Sequence, residues 1–430
     1  MITYNAKFWL CKGKRKMNIP EIIKNDKELF ECLSLEEDRQ ENNLEMIASE
    51  SIQPAATLAI AGSIFNNKTA VGLPHKQRLK GSQYAAKLER LAADRACKVF
   101  GADHANMLPY SGSMANYCAY SALLELGDKV LALAPNAGAH QTHGAAANIA
   151  SKMYSFDYFG LDRDSLLIDY GEAERKAREY RPKLIVVGSA SYSRNIDYER
   201  LADIAHKNGA LLMVDVAHFT GLIAAGLSPN PVPYADIVTA STTKTMCGAH
   251  SGFIMCKEEL REAVDKSVYP KNVASLHLQT IASMAYSLHN SQTEEFKSLM
   301  KNVVENAQYF CKALKARGFD IVTGGTDCHM FVADLRPFNA NCEKIADRLE
   351  EVGITVNTKA IPFDDSPVPR GLRAGTTVLT QRGFDCEGLD AVADVWLDIV
   401  SSPDDEKTLA SARERVAALA KKFPIPEQYL

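Results

Sequence analysis

No two of the ten cysteines are spaced as CxxC, and across 430 residues they are too dilute for a disulfide scaffold. The expectation is buried free thiols in a reducing compartment, hence a cytoplasmic protein. Charge of one sign is also scarce. Against 49 Lys and Arg stand 53 Asp and Glu, a net charge of −4. That balance leaves no electrostatic footprint for nucleic acid and no polybasic surface for anionic lipid. A long apolar run is missing as well. The longest stretch, Ala210 to Leu227, contains Asp215 and His218 and is broken by Gly221 and Gly226. An Asp at the centre of a membrane span costs on the order of 3 kcal/mol, so this stretch reads as a buried strand followed by a turn and a helix. What is present is apolar content: 46% of the residues, which excludes a disordered chain and supports a large core.

Met1–Met17 carries five basic residues and no acid, but lacks the apolar segment and small-residue cleavage site of a secretory signal. It is expected to be an extension outside the fold, with Met17 as the working start. The remaining pattern suggests an N-terminal arm to residue 50, a large domain over 51–300 and a small C-terminal domain over 301–430.

Short apolar runs alternate with helical patterns through the middle of the chain. Asp128–Ala134, Lys183–Gly188, Ala210–Asp215 and Asp236–Ala240 read as strands buried on both faces. Glu199–Asn208 reads as a helix stopped by Gly209, and Ala86–Phe100 as another with an apolar stripe of Leu88, Leu91, Ala92 and Val99. Strands separated by helices imply an α/β fold with a mostly parallel central sheet and right-handed crossovers. A further strand is predicted at Gly252–Cys256, then a long helical region to about 315. Short strands at Met330–Leu335 and Ile354–Asn357, with helices at Cys342–Val352 and Glu387–Ser401, describe a smaller α+β unit.

Open α/β sheets bind ligands beyond the carboxyl ends of their strands. Three features fall there. Asp215 ends an apolar strand; alone it is equally a cap or an ion-pair partner. Lys244 follows the next strand within Ser241-Thr-Thr-Lys-Thr245, near Gly248 and Gly252, which permit close backbone approach. Ser111-Gly112-Ser113 precedes a helix expected to open at Met114, and such a turn presents free N–H groups to an anion, or serves as an ordinary N-cap. Together they suit pyridoxal 5′-phosphate. A lysine amine bonds the cofactor aldehyde, a carboxylate keeps the pyridine nitrogen protonated, and a helix N-terminus takes the phosphate.

The stretches Leu44-Glu-Met-Ile-Ala-Ser-Glu50, Ser111–Asn116, His140-Gln-Thr-His-Gly144, Ser191–Arg194, Met213–His218, Asn230–Asp236, Thr239–Thr245, Gly324–Asp327 and Gly371-Leu-Arg-Ala-Gly-Thr376 resemble serine hydroxymethyltransferase, over about residues 30 to 400. The resemblance implies a fold-type-I, aspartate-aminotransferase-like pyridoxal phosphate enzyme acting as a homodimer on an amino acid. It implies that Lys244 bonds the cofactor and Asp215 pairs with its pyridine nitrogen. His140 would stack on the ring and His218 would sit near its phenolic oxygen. Ser111, Gly112 and Ser113 would hold the phosphate, and Arg373 with Ser49 would bind the substrate α-carboxylate.

The sequence departs from that family where folate chemistry is done. In Asn67–Gly81, a tyrosine is Thr69, the glutamate of folate-dependent proton transfer is Val71, and paired tyrosines are Arg78 and Leu79. The histidine before the lysine is Thr243. Gly-Pro-Arg-Gly-Gly is Gly248-Ala-His-Ser-Gly252, and a Gly-Gly-Pro is Ala274-Ser-Leu276. An asparagine that meets the pterin is Lys359. Replacing a carboxylic acid by an isopropyl group removes a proton carrier outright. The leading expectation is therefore folate-independent aldol or retro-aldol chemistry on glycine or a β-hydroxy amino acid, with His140, His218 or Tyr192 as the base and Arg78, Lys80, His75 and His250 lining an altered pocket. Alternatives are racemisation, elimination, decarboxylation or transamination, a folate-dependent serine hydroxymethyltransferase, or a pseudoenzyme.

Overall fold

The structure is a computed structural model that describes residues 21–364 and 366–429; the reading of Met1–Met17 lies outside them. Seven strands form the central sheet: β1 (His104–Asn106), β2 (Lys129–Leu133), β3 (Ser155–Phe159), β4 (Leu184–Gly188), β5 (Leu211–Asp215), β6 (Ile237–Ser241) and β7 (Gly252–Cys256). Their spatial order is β1-β7-β6-β5-β4-β2-β3. Only β7 runs against its neighbours, pairing antiparallel with β1 and β6; β6, β5, β4, β2 and β3 are parallel. β4, β6 and β7 are buried at every position, the outcome expected of apolar runs covered by helices on both faces.

Helix α1 (Gln83–Phe100) packs under this sheet. Its buried stripe is Ala85, Leu88, Ala92 and Ala96, whereas Leu91 is 41% exposed. The expected stripe was therefore displaced by one position, because the small alanines let α1 lie close to α4 (Leu278–Asn290), the element it contacts most. Helix α2 (Gly112–Leu123) begins two residues before Met114, with Ser111 as its cap. Helix α3 (Tyr198–Lys207) is capped by Asp197, which accepts from the Arg200 N–H at 3.0 Å, and Gly209 beyond it takes the left-handed conformation at φ +72°. The helical region to 315 is broken: α4 ends at Asn290 and α5 (Glu294–Ala316) starts anew with Thr293 as cap.

A second core gathers Phe310, Phe331, Leu372 and Trp396 around a four-stranded antiparallel sheet. Its strands are β8 (Asp320–Ile321), β9 (Met330–Asp334), β10 (Asn357–Lys359) and β11 (Gly371–Gly375), ordered β8-β9-β11-β10. The single strand expected at 354–357 is two. Ile354–Thr355 pairs in parallel with Leu44–Glu45, and β10 turns away to pair with β11. Among the described cysteines six are buried, but Cys32 and Cys386 are exposed, so burial of all thiols does not hold. No described helix is long and apolar enough to cross a membrane.

Candidate functional site

β5, β6 and the N-terminus of α2 converge on a cavity of about 340 Å³. Its lining includes Ser49, Ser111, Gly112, Ser113, His140, Asp215, His218 and Lys244. Eight of the nine residues singled out from sequence thus meet in one place; Arg373 stands beside it.

Asp215 is the best supported of them. Asn116 Nδ2 donates to Asp215 Oδ2 at 2.8 Å and the Ala217 N–H donates to Oδ1 at 2.9 Å. His143 Nε2 lies 3.3 Å from Oδ2, short of good hydrogen-bond geometry, and its Nδ1 has no partner. Burial would raise the Asp215 pKa, but His143 and the Asn116 bond outweigh it and hold the carboxyl well below the usual carboxylate range. Gly188 on β4 is obligatory here, since a Cβ would come within 2.6 Å of the Asp215 Cβ.

Asn116 is held in turn. Its Oδ1 accepts from Thr239 Oγ1 at 2.6 Å, and its amide also donates to Thr142 Oγ1 at 2.8 Å. Thr142 Oγ1 then has its proton free for His140 Nδ1, 2.8 Å away, while the Thr142 N–H approaches the same nitrogen at 3.3 Å. His140 Nδ1 is thereby an acceptor, which fixes the proton of the neutral ring on Nε2. Burial lowers the His140 pKa, in keeping with that neutral form.

Lys244 follows β6 on a loop closed on itself: Thr242 Oγ1 donates to Ala249 O at 2.6 Å and the Gly248 N–H to Thr242 O at 2.8 Å. Among the described residues its amine makes no hydrogen bond or ion pair. Burial, and then the charge of Arg373, lower its pKa against the pull of Asp215. His218 is buried, with a pKa pressed well below the ordinary range by burial and by Lys244. Its ring stacks on His329 at 5.6 Å, and His329 Nε2 lies 3.0 Å from Ala48 O.

At the phosphate-sized end, Ser111 Oγ accepts from the Met114 N–H at 3.1 Å. The first N–H groups of α2, at Gly112 and Ser113, have no intrahelical acceptor, and both residues line the cavity. Gly252 packs so closely behind them that a Cβ would meet Ser111 O at 2.2 Å. The segment bearing Ser49 and Glu50 is sewn to the lysine loop: Ser51 Oγ donates to Thr243 O at 2.8 Å, and Gln381 bonds both backbone groups of Ile52. Arg373 on β11 donates through Nε to Asn357 Oδ1 at 3.0 Å and through Nη1 to Ala190 O, beside the lining residue Ser189. Three of its five N–H groups stay free.

Other expected residues are not brought in. His75, Arg78 and Lys80 are exposed and outside the cavity lining; His250 alone of that group reaches it. Tyr192 is buried elsewhere with its hydroxyl 3.4 Å from the Ile168 N–H, and burial pushes its pKa up to about 12. Sequence reading missed Asn116, Thr142 and Thr239, which carry no signal of their own, and Glu50, which its neighbour Ser49 could have flagged.

A half-buried amine without a partner, an ionised carboxylate and an open helix N-terminus around one cavity, at the ends of a mostly parallel sheet, fit the aldehyde, ring nitrogen and phosphate of pyridoxal phosphate. This is the class of fold-type-I pyridoxal phosphate enzymes. The family model for serine hydroxymethyltransferase matches residues 22–396, and the chain belongs to that family, whose members are pyridoxal phosphate-dependent transferases with amino acid substrates.

Proposed function

We propose that the protein is a folate-independent aldolase of glycine and β-hydroxy amino acids, working as a homodimer. When bound, pyridoxal phosphate supplies an electron sink for the carbanion formed at the substrate Cα. Asp215, ionised and anchored by Asn116, would keep the pyridine nitrogen protonated. The Gly112 and Ser113 N–H groups would hold the phosphate, and His140 would pack against the ring. The free N–H groups of Arg373, with Ser49, would clamp the α-carboxylate and so fix the orientation of the substrate Cα.

A retro-aldol step needs one further group, a base for the β-hydroxyl. His218 is a poor one, because burial takes its pKa far from neutrality. Glu50 is better matched. It lies on the edge of the cavity with its residue exposed on one side, and partial desolvation, together with the charge of Glu45, raises its carboxyl to about 7. Glu45 stays committed to Arg39 at 3.1 Å and to the Ile47 N–H at 3.0 Å.

The observation that carries this reading is a contrast within one chain. The cavity keeps its amino-acid-activating groups, while Val71 carries no proton and sits in a bridge with Ser275. Incubation with threonine, allo-threonine and serine without folate is expected to release glycine and the aldehyde, identified by mass spectrometry. Cleavage of serine only in the presence of tetrahydrofolate, or conversion of no amino acid, overturns the reading. Sedimentation equilibrium tests the dimer.

A further inference from the structure

Lys359 stands where the family has an asparagine, and its surroundings give it a role. On β10, Asn357 and Lys359 are two residues apart and share one face of the strand. Asn357 is in register with Arg373, and Lys359 with Gly371. Lys359 is therefore the diagonal neighbour of the arginine whose Nε is bound by Asn357 at 3.0 Å. Its side chain is half-buried, and among the described residues it makes no hydrogen bond and no ion pair.

Two cations side by side in a partly desolvated place repel, and each also bears the cost of leaving water. Burial and the charge of Arg373 both lower the Lys359 pKa, and the field of Lys359 reaches His140 in the cavity. One substrate α-carboxylate neutralises one of the two charges. The other still lacks a counter-ion within the described structure. Small ions from solvent cannot supply specificity, but a second anionic group on the substrate can.

We infer that Lys359 and Arg373 together favour an amino acid whose side chain carries a carboxylate, so that an acidic β-hydroxy amino acid is bound in preference to serine or threonine. The α-carboxylate occupies the free N–H groups of Arg373, and the side-chain carboxylate takes the Lys359 ammonium. This rests on the reading of the site as one that activates amino acids at Cα.

The test uses the holoprotein, titrated with L-serine, L-threonine, L-aspartate and β-hydroxyaspartate, with the cofactor absorbance and the melting temperature as readouts. The acidic ligands are expected to bind at least about ten-fold tighter than the neutral ones, a difference of about 1.4 kcal/mol. Lys359→Met should collapse that ratio and Lys359→Arg should keep it, with circular dichroism confirming that both variants fold. Equal affinity for both ligand classes, or a ratio that survives Lys359→Met, overturns the inference while leaving amino acid activation intact. If no amino acid of either class perturbs the cofactor or the melting temperature, the parent reading falls and the inference with it.

Discussion

Asn116 Nδ2 reaches Asp215 Oδ2 at 2.8 Å, although 99 residues separate them in the chain. The same amide donates to Thr142, and its carbonyl accepts from Thr239, so one side chain ties β5, β6, α2 and the His140 turn into a single buried network. Removing it strands acceptors and donors that have no water to turn to. Asn116→Ala is expected to lose about 1–3 kcal/mol of stability and to weaken cofactor retention, measured by urea unfolding and by cofactor fluorescence. An unchanged cofactor affinity would show that Asp215 needs no positioning.

Asp215→Asn keeps shape but removes the charge. It should fold, bind cofactor more weakly, and lose at least about 100-fold in turnover, since the ring nitrogen no longer has an anionic partner. Single-turnover absorbance kinetics check this. Full activity in the variant contradicts the role given to the carboxylate.

Lys244 carries an amine held among buried groups without a partner, and desolvation disfavours its charge. In the cofactor-free protein, Lys244→Met should raise the melting temperature, by about 1 kcal/mol in stability, because an apolar stem of similar length costs less to bury. The same variant should no longer retain cofactor against borohydride-free dialysis. Calorimetry of both apo proteins decides the first half.

Glu50 sets the expected pH profile. With its carboxyl raised to about 7, cleavage should rise with pH through neutrality as the base ionises, and Glu50→Gln should remove that limb. A wild-type profile flat between pH 6 and 8 would assign the proton to another group.

His329 makes a stability prediction of definite sign. Its pKa is pushed down from 6.5 to about 3, chiefly by burial. The unfolded chain therefore binds a proton that the folded one refuses, so stability is full above pH 6.5 and falls on acidification toward pH 3. The slope is about 1.4 kcal/mol per pH unit for this one group. His329→Gln should flatten the wild-type curve across that window in urea titrations from pH 7 to 4.5.

The central sheet was legible because β4, β5, β6 and β7 are apolar on both faces, a pattern that burial leaves directly in the order of residues. Lys244, Asp215 and Ser111–Ser113 were legible for a related reason: each lies at or beyond a strand end, where an open α/β sheet must put its ligands. The split of residues 354–359 was not, because Ile354–Thr355 pairs with Leu44–Glu45 from the far end of the chain, and strand pairing at that range has no local signature. The same holds for Asn116, Thr142 and Thr239, ordinary polar residues until folding buries them around one carboxylate. His75, Arg78 and Lys80 show the converse. Charge alone marked them for the site, and the fold left them in water. Sequence determined which chemistry the chain can hold, since a residue's functional groups are fixed when it is made. Tertiary structure decided which groups act, because solvent exclusion, hydrogen-bond partners and proximity of charge arise only when distant segments meet.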